Sequence, residues 1–218
     1  MTDYAVARHN MVEGQIRTNR VTDPALVAAL DAVPREAFVP KSMQAIAYVD
    51  EDLAIGQGRH LMEPLVLARL LQAADVTPSD AVLDIGCATG YSTAVIARIA
   101  GSVVGVESDA RFVAEANRRL GELSMDNAAV VQGELTRGYA KQAPYNVIVL
   151  NGAIGRVPRD IADQLVEGGR LVAVMRDEGG IGRATLMTRV GGTLSSRIIF
   201  DAATPDLPGF AREPGFVF

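Results

Sequence analysis

Val82-Leu83-Asp84-Ile85-Gly86-Cys87-Ala88-Thr89-Gly90-Tyr91 is the stretch on which the reading of this chain turns. An apolar run from Ala81 to Ile85 breaks into glycines and then into helical spacing from Ser92 to Ala100, which predicts strand, tight turn and helix. In that arrangement the backbone approaches a ligand closely and a helix N-terminus faces it. A dinucleotide fingerprint needs glycine at the first, third and sixth positions of the turn. Those positions hold Gly86, Ala88 and Tyr91, so only Gly86 fits. What does repeat is an acid followed by small residues at alternate places: Asp84, Gly86, Ala88 and Gly90, with Cys87 among them. The next buried run, Ser102 to Val106, ends in Glu107. In nucleoside-binding α/β folds an acid at the second strand's end, about 20 residues past the loop, accepts hydrogen bonds from ribose hydroxyls. Glu107 stands at that spacing. It speaks for a nucleoside without choosing a cofactor, and Asp84 and Tyr91 make that choice.

Composition bounds the rest. The chain has 218 residues, 49% hydrophobic and 22% charged, as in a soluble globular domain with a real core. A formal charge of −5 argues against general affinity for nucleic acid or an anionic membrane. No run approaches the roughly 20 apolar residues of a spanning helix, and Met1-Thr2-Asp3-Tyr4 lacks a signal-peptide layout. Cys87 is the only cysteine, which excludes an intrachain disulfide and argues against a structural zinc; no metal is expected. The expected setting is the cytoplasm.

Along the chain, Val6 to Ile16 has loosely helical spacing, and Thr22-Asp23-Pro24 reads as a helix start whose stripe of Leu26, Val27, Leu30 and Val33 ends at Pro34. Residues 1–60 read as a helical cap laid before a core at 61–218, within one domain. Pro64 to Ala74 and Ala110 to Leu123 are predicted helices, the latter with Phe112, Val113, Ala116 and Leu120 inward. Ala128 to Gln132 is a third strand and Tyr145 to Leu150 a fourth, ending in a flexible loop, Asn151 to Gly155. A short helix over Pro158 to Val166 and a fifth strand over Arg170 to Met175 follow. Two runs flanking Gly191-Gly192-Thr193 read as a hairpin. The tail from Asp201 is irregular and proline-bearing, and its Phe210, Phe216 and Phe218 suggest that it docks.

The glycine stretch resembles the S-adenosylmethionine-binding loop of class I methyltransferases, and five βα units followed by an antiparallel pair is what that Rossmann-like fold shows. A more particular likeness lies upstream. Met11-Val12, Gln15-Ile16, Val33-Pro34-Arg35-Glu36, Phe38-Val39-Pro40, Ala47-Tyr48 with Asp50, and Ile55-Gly56-Gln57-Gly58 look like the N-terminal region of protein-L-isoaspartate O-methyltransferases. The likeness continues through Glu107, Gln132-Gly133, Tyr145 to Leu150 and Glu167 to Val172, covering roughly residues 9–175. It implies S-adenosylmethionine as cofactor, S-adenosylhomocysteine as product, and isoaspartyl carboxylates of damaged proteins or peptides as acceptors. Asp84, Gly86, Cys87, Ala88, Gly90, Glu107, Gly133 and Glu134 would then hold the cofactor. One departure stands out. The family carries a Thr-Ile-Ser-x-Pro-like motif whose serine lies at the substrate carboxylate, and here the run is His60-Leu61-Met62-Glu63-Pro64. Met62 replaces the serine, so no catalytic residue carries over, and Arg59 and His60 are the neighbouring candidates. The alternatives are a methyltransferase with a changed acceptor, a cofactor-binding protein without turnover, and a nicotinamide-dependent reductase.

Overall fold

The computed structural model describes residues 3–177 and 180–210. The chain opens with helix α1 (Tyr4–Met11), capped by the Asp3 carboxylate on the Ala5 and Val6 amides, and a π-helical turn carries it on through Ile16. Helix α2 (Pro24–Ala32) starts as expected, with the Asp23 side chain capping Leu26 N and proline in its first turn. After 3₁₀ turns at Arg35–Phe38 and Lys41–Ile46, a small hairpin of β1 (Leu53–Gly56) and β2 (Arg59–Leu61) crosses position 60. Helix α3 (Pro64–Ala74) follows and packs on the central sheet.

That sheet has seven strands. Five are parallel: β3 (Ala81–Ile85), β4 (Ser102–Glu107), β5 (Ala128–Gln132), β6 (Tyr145–Ile154) and β7 (Leu165–Arg176). The antiparallel hairpin β8 (Gly182–Val190) and β9 (Thr193–Asp201), turned at Gly191–Gly192, extends one edge, giving the order β5-β4-β3-β6-β7-β8-β9. Helices α4 (Tyr91–Ala97), α5 (Ala110–Glu122) and the short α6 (Arg159–Ala162) connect the parallel strands. The expected class, a mostly parallel seven-stranded α/β sheet closing on an antiparallel pair, is what forms.

The central strands read as unbroken apolar runs because both faces are covered. Val82, Val147 and Val149 point into one core with Leu67 and Tyr91, while Leu83, Ile85, Ile148 and Leu150 point into the other with Leu207 and Phe210. The two cores lie on opposite faces, and the first joins Met11, Leu30 and Phe38 of the N-terminal segment to the sheet.

Two expectations are corrected. The segment Asn151–Ile154 is no flexible loop: β6 continues through it with a register shift, pairing Ala153 with Val174 and Ile154 with Met175. The helix expected over Pro158 to Val166 is one turn long, because Leu165 already pairs with Tyr145 at the start of β7. In the tail, Phe210 is buried, whereas Phe216 and Phe218 lie outside the described residues. No helix among the described residues is long and apolar enough to cross a membrane.

Candidate active site

Beyond Ile85 the chain turns at once. Gly86 has φ 74° and Gly90 φ 92°, left-handed values that glycine adopts freely. A Cβ at Gly90 would stand 2.9 Å from the Ala116 Cβ, so α5 packs directly against the turn. Ala88 holds φ 49° despite its Cβ, at a cost of about 1 kcal/mol.

Asp84 organises this turn from beneath. Its Oδ2 accepts from Ser92 Oγ (2.7 Å) and Thr93 Oγ1 (2.6 Å), both in the first turn of α4, and its Oδ1 from Asn151 Nδ2 (2.5 Å) on β6. Burial pushes its carboxyl above the ordinary carboxylate range, against the pull of these three donors, and Glu107 adds to the rise. Its three donors come from α4 and β6, so the acid braces the turn between β3, α4 and β6. Cys87 is buried beside it, and burial pushes its thiol well up, which makes it a packing group with little thiolate.

Glu107 closes β4 with no exposed surface. Oε2 accepts from Ala88 N (2.9 Å), Arg59 Nε (3.2 Å) and Arg59 Nη2 (3.0 Å). Oε1 accepts from Ser108 N (2.7 Å), Ser108 Oγ (3.1 Å) and Asp109 N (3.3 Å). Arg59 Nη2 also donates to the Gly86 carbonyl (2.6 Å). Gly133 joins the row of strand ends by donating its N–H to Glu107 O (3.0 Å). Glu134 is exposed, and its carboxylate turns to Thr136 Oγ1 (2.8 Å) and Arg137 Nε (3.1 Å), which hold it below its ordinary value.

The segment in place of the family's serine motif lies directly on the glycine turn. Met62 is buried, and with His60, Gly86, Tyr91 and Asn151 it lines a cavity of about 10 Å³. Its carbonyl accepts from Arg35 Nη2 (2.8 Å), while Arg35 Nε donates to Ala47 O (2.7 Å) and the guanidinium sits 4.9 Å from the Tyr91 ring centre. Next to Met62 the surface turns acidic. Asp52 accepts from Glu63 N (3.0 Å) and Asp50 from Leu65 N (3.1 Å). Glu63 is pushed up to about 7, first by burial and then by Asp52 and Asp50. Arg59, expected on the acceptor side, therefore lies against Glu107, while His60 stays half-buried beside Met62.

A glycine turn between β3 and α4, an acid closing β4, and an antiparallel hairpin completing a parallel sheet define a Rossmann-like class I methyltransferase. Two solved chains share the fold. One is a protein-L-isoaspartate O-methyltransferase with TM-score 0.81 and 24% identity over 93% of this chain and 66% of its own length. The other, from Plasmodium falciparum and in complex with S-adenosyl-L-homocysteine, has TM-score 0.78 and 17% identity, covering 95% of this chain and 99% of that one. The family model for protein-L-isoaspartate(D-aspartate) O-methyltransferase (PCMT) matches residues 7–194, so the chain belongs to that family. A protein-L-isoaspartate O-methyltransferase 1 from Rhodopseudomonas palustris is 37% identical over 188 residues, 86% of this chain and 77% of its own length. A protein-L-isoaspartate O-methyltransferase from Picosynechococcus is 40% identical over 165 residues, 76% of this chain and 74% of its own.

Sequence reasoning placed Asp84, Gly86, Ala88, Gly90 and Glu107 at one sheet edge, where they lie. It missed Asn151, whose polar side chain at the end of an apolar strand was a usable signal. It also missed the Arg35 side chain, although the Val-Pro-Arg-Glu run that contains it was singled out. Nothing local announced Leu207, whose Cδ1 would lie 2.5 Å from a Cβ placed on Gly86.

Proposed function

We propose that the chain is an S-adenosylmethionine-dependent O-methyltransferase that methylates isoaspartyl side-chain carboxylates in damaged proteins or peptides. The observation that carries the reading is Glu107. It closes the strand beside the glycine turn and shares the Ala88 amide, the acceptor chemistry that ribose hydroxyls require. Gly86, without a side chain, suits a thin ligand arm passing over the turn. The glycine turn and the Glu107 carboxylate have the chemistry that the cofactor needs, while Arg59 and Leu207 stand in the space it would take. Bound there, the cofactor supplies a methyl group on a sulfonium.

The chain's own part is positioning and exclusion of water. An aspartyl-type carboxylate ionises near pKa 4 and needs no base at neutral pH. Rate then rests on alignment in a dry site. Arg35 fixes the acceptor segment by holding the Met62 carbonyl, and Asp84 fixes the glycine turn. Met62 offers no hydroxyl to the substrate, a loss of about 1 kcal/mol for one hydrogen bond. Residues 1–60 serve in this reading as the cap over the core at 61–218. A cytoplasmic setting belongs to the proposal, supported by the single buried cysteine.

The test is transfer of labelled methyl to an isoaspartyl peptide beside the same peptide with normal aspartate. Selective, base-labile labelling is expected. Cofactor binding without labelling would favour the second reading, a changed acceptor, for which the acidic group Asp50, Asp52 and Glu63 beside Met62 is the specific observation.

A further inference from the structure

We propose that this chain carries its own occupant of the cofactor crevice: Arg59 and Leu207 fill it in a closed state, and S-adenosylmethionine binds only as both withdraw. The proposal deepens the function proposed above and rests on it.

The crevice is located by topology. From β3 the chain runs outward through β4 and β5, and β6 returns to the other side of β3. Ligands of open α/β sheets bind at such a switch point, outside the carboxyl ends of the strands. Leu207 sits there, 1% exposed. Its side chain covers Gly86 after β3. On the β6 side, a Cβ built on Gly152 would stand 3.0 Å from the Leu207 Cβ. The strap that brings it runs along β6, with Ala153 N donating to Pro205 O and Leu207 N to Ala153 O, both at 2.8 Å. It then crosses toward the turn after β5, where Gly209 lies against Thr136.

Arg59 fills the neighbouring half, between the ends of β3 and β4. Six donors converge on Glu107: two from Arg59, the Ala88 amide, the Ser108 amide and hydroxyl, and the Asp109 amide. A carboxylate offers about four lone-pair sites, so this acid is saturated before any ribose arrives. The guanidinium stands in for ribose hydroxyls, and the Leu207 side chain for an aliphatic arm over Gly86. Arg59 Nη2 and Leu207 Cδ1 would lie 2.8 and 2.5 Å from a Cβ on Gly86, side by side over the turn.

Opening requires the two-stranded hairpin that carries Arg59 to shift and the strap to leave its ties: the part-exposed Arg176–Asp206 pair (2.9 Å), Arg176 Nη2 on Thr204 O, Thr204 Oγ1 on Asp52 (3.1 Å), Gly155 N on Phe210 O (3.2 Å) and the two bonds to Ala153. A ligand that competes with an internal occupant has its affinity reduced by the fraction of open molecules. The closed state therefore sets both the affinity and the rate of loading.

Calorimetry and stopped-flow with S-adenosylhomocysteine on the full chain, Arg59→Gln, Leu207→Ala and the double variant test this. Each single variant should tighten binding about tenfold and the double variant further. Association to the unaltered chain should saturate with ligand concentration, while that to the double variant should rise linearly. Hydrogen exchange at the Ala153 and Leu207 amides should accelerate when ligand is added to the unaltered chain. If Leu207→Ala fails to fold, Arg59→Gln and the exchange measurement still decide. Equal affinities with linear association throughout would overturn the occupant and leave the methyltransferase reading standing. No binding by any folded variant would overturn both.

Discussion

Glu63→Gln should stabilise the protein, and only where Glu63 would be charged. Glu63 precedes α3 and is half-buried, with Asp52, Asp50 and Glu51 around it and Arg35 as the opposing charge. Its carboxyl is raised from 4.5 to about 7, with burial the largest cause. A raised folded-state value means that the fold holds the neutral acid better than the anion. The associated stability is full below about pH 4.5 and is lost as pH rises through about 7. At about 1.4 kcal/mol per pH unit the ceiling is about 3 kcal/mol, and water around a half-exposed group reduces it to about 1–2 kcal/mol. Glutamine keeps the shape and discards the charge. Denaturant unfolding of both proteins at pH 5 and pH 8.5 reads the effect. The variant should gain about 1–2 kcal/mol at pH 8.5, or a few degrees in Tm, and a few tenths at pH 5. An equal gain at both pH values would show that side-chain packing is responsible, and a loss at pH 8.5 would show that the Glu63 anion has a partner. Either result refutes the electrostatic reasoning.

Three other perturbations probe the same construction. Arg35→Met should destabilise by about 3 kcal/mol, because two buried carbonyls, Ala47 and Met62, lose charged donors; urea midpoints would show it. Asp84→Asn should cost about 1–3 kcal/mol, because an amide keeps one acceptor oxygen where Asp84 accepts from Asn151 on one side and from Ser92 and Thr93 on the other, and an unchanged midpoint would mean that the two hydroxyls reverse to accept from the amide. Met62→Ser should raise labelling of the isoaspartyl peptide while lowering stability by about 2 kcal/mol or more through the lost thioether packing; absence of any gain in a folded variant would show that the acceptor segment is rebuilt beyond that one side chain.

What the sequence disclosed depended on how far apart the cooperating residues lie. The turn from β3 to α4 was legible because its cause is local: an apolar run, then glycines, then helical spacing within 20 residues. The start of α2 at Asp23-Pro24 and the hairpin at Gly191–Gly192 were legible for the same reason. The length of β6 was not. Asn151-Gly152 is turn chemistry by composition, yet the strand continues because β7 and the strap supply pairing partners from more than 20 and 50 residues away. The site divides along the same line. Glu107 announced itself by spacing from the glycine turn, whereas its pairing with Arg59 spans 48 residues and leaves no periodic trace. The family likeness pointed away from it, since Arg59 stood beside the missing serine and was read as facing the acceptor. Leu207 is harder still, because one leucine in a proline-bearing tail carries no pattern at all. The features that sequence hides are therefore those that determine whether this cofactor crevice stands open, while the features it shows are those that build the crevice. A likeness over residues 9–175 ends before Leu207, so it describes the built crevice and is silent on its occupant.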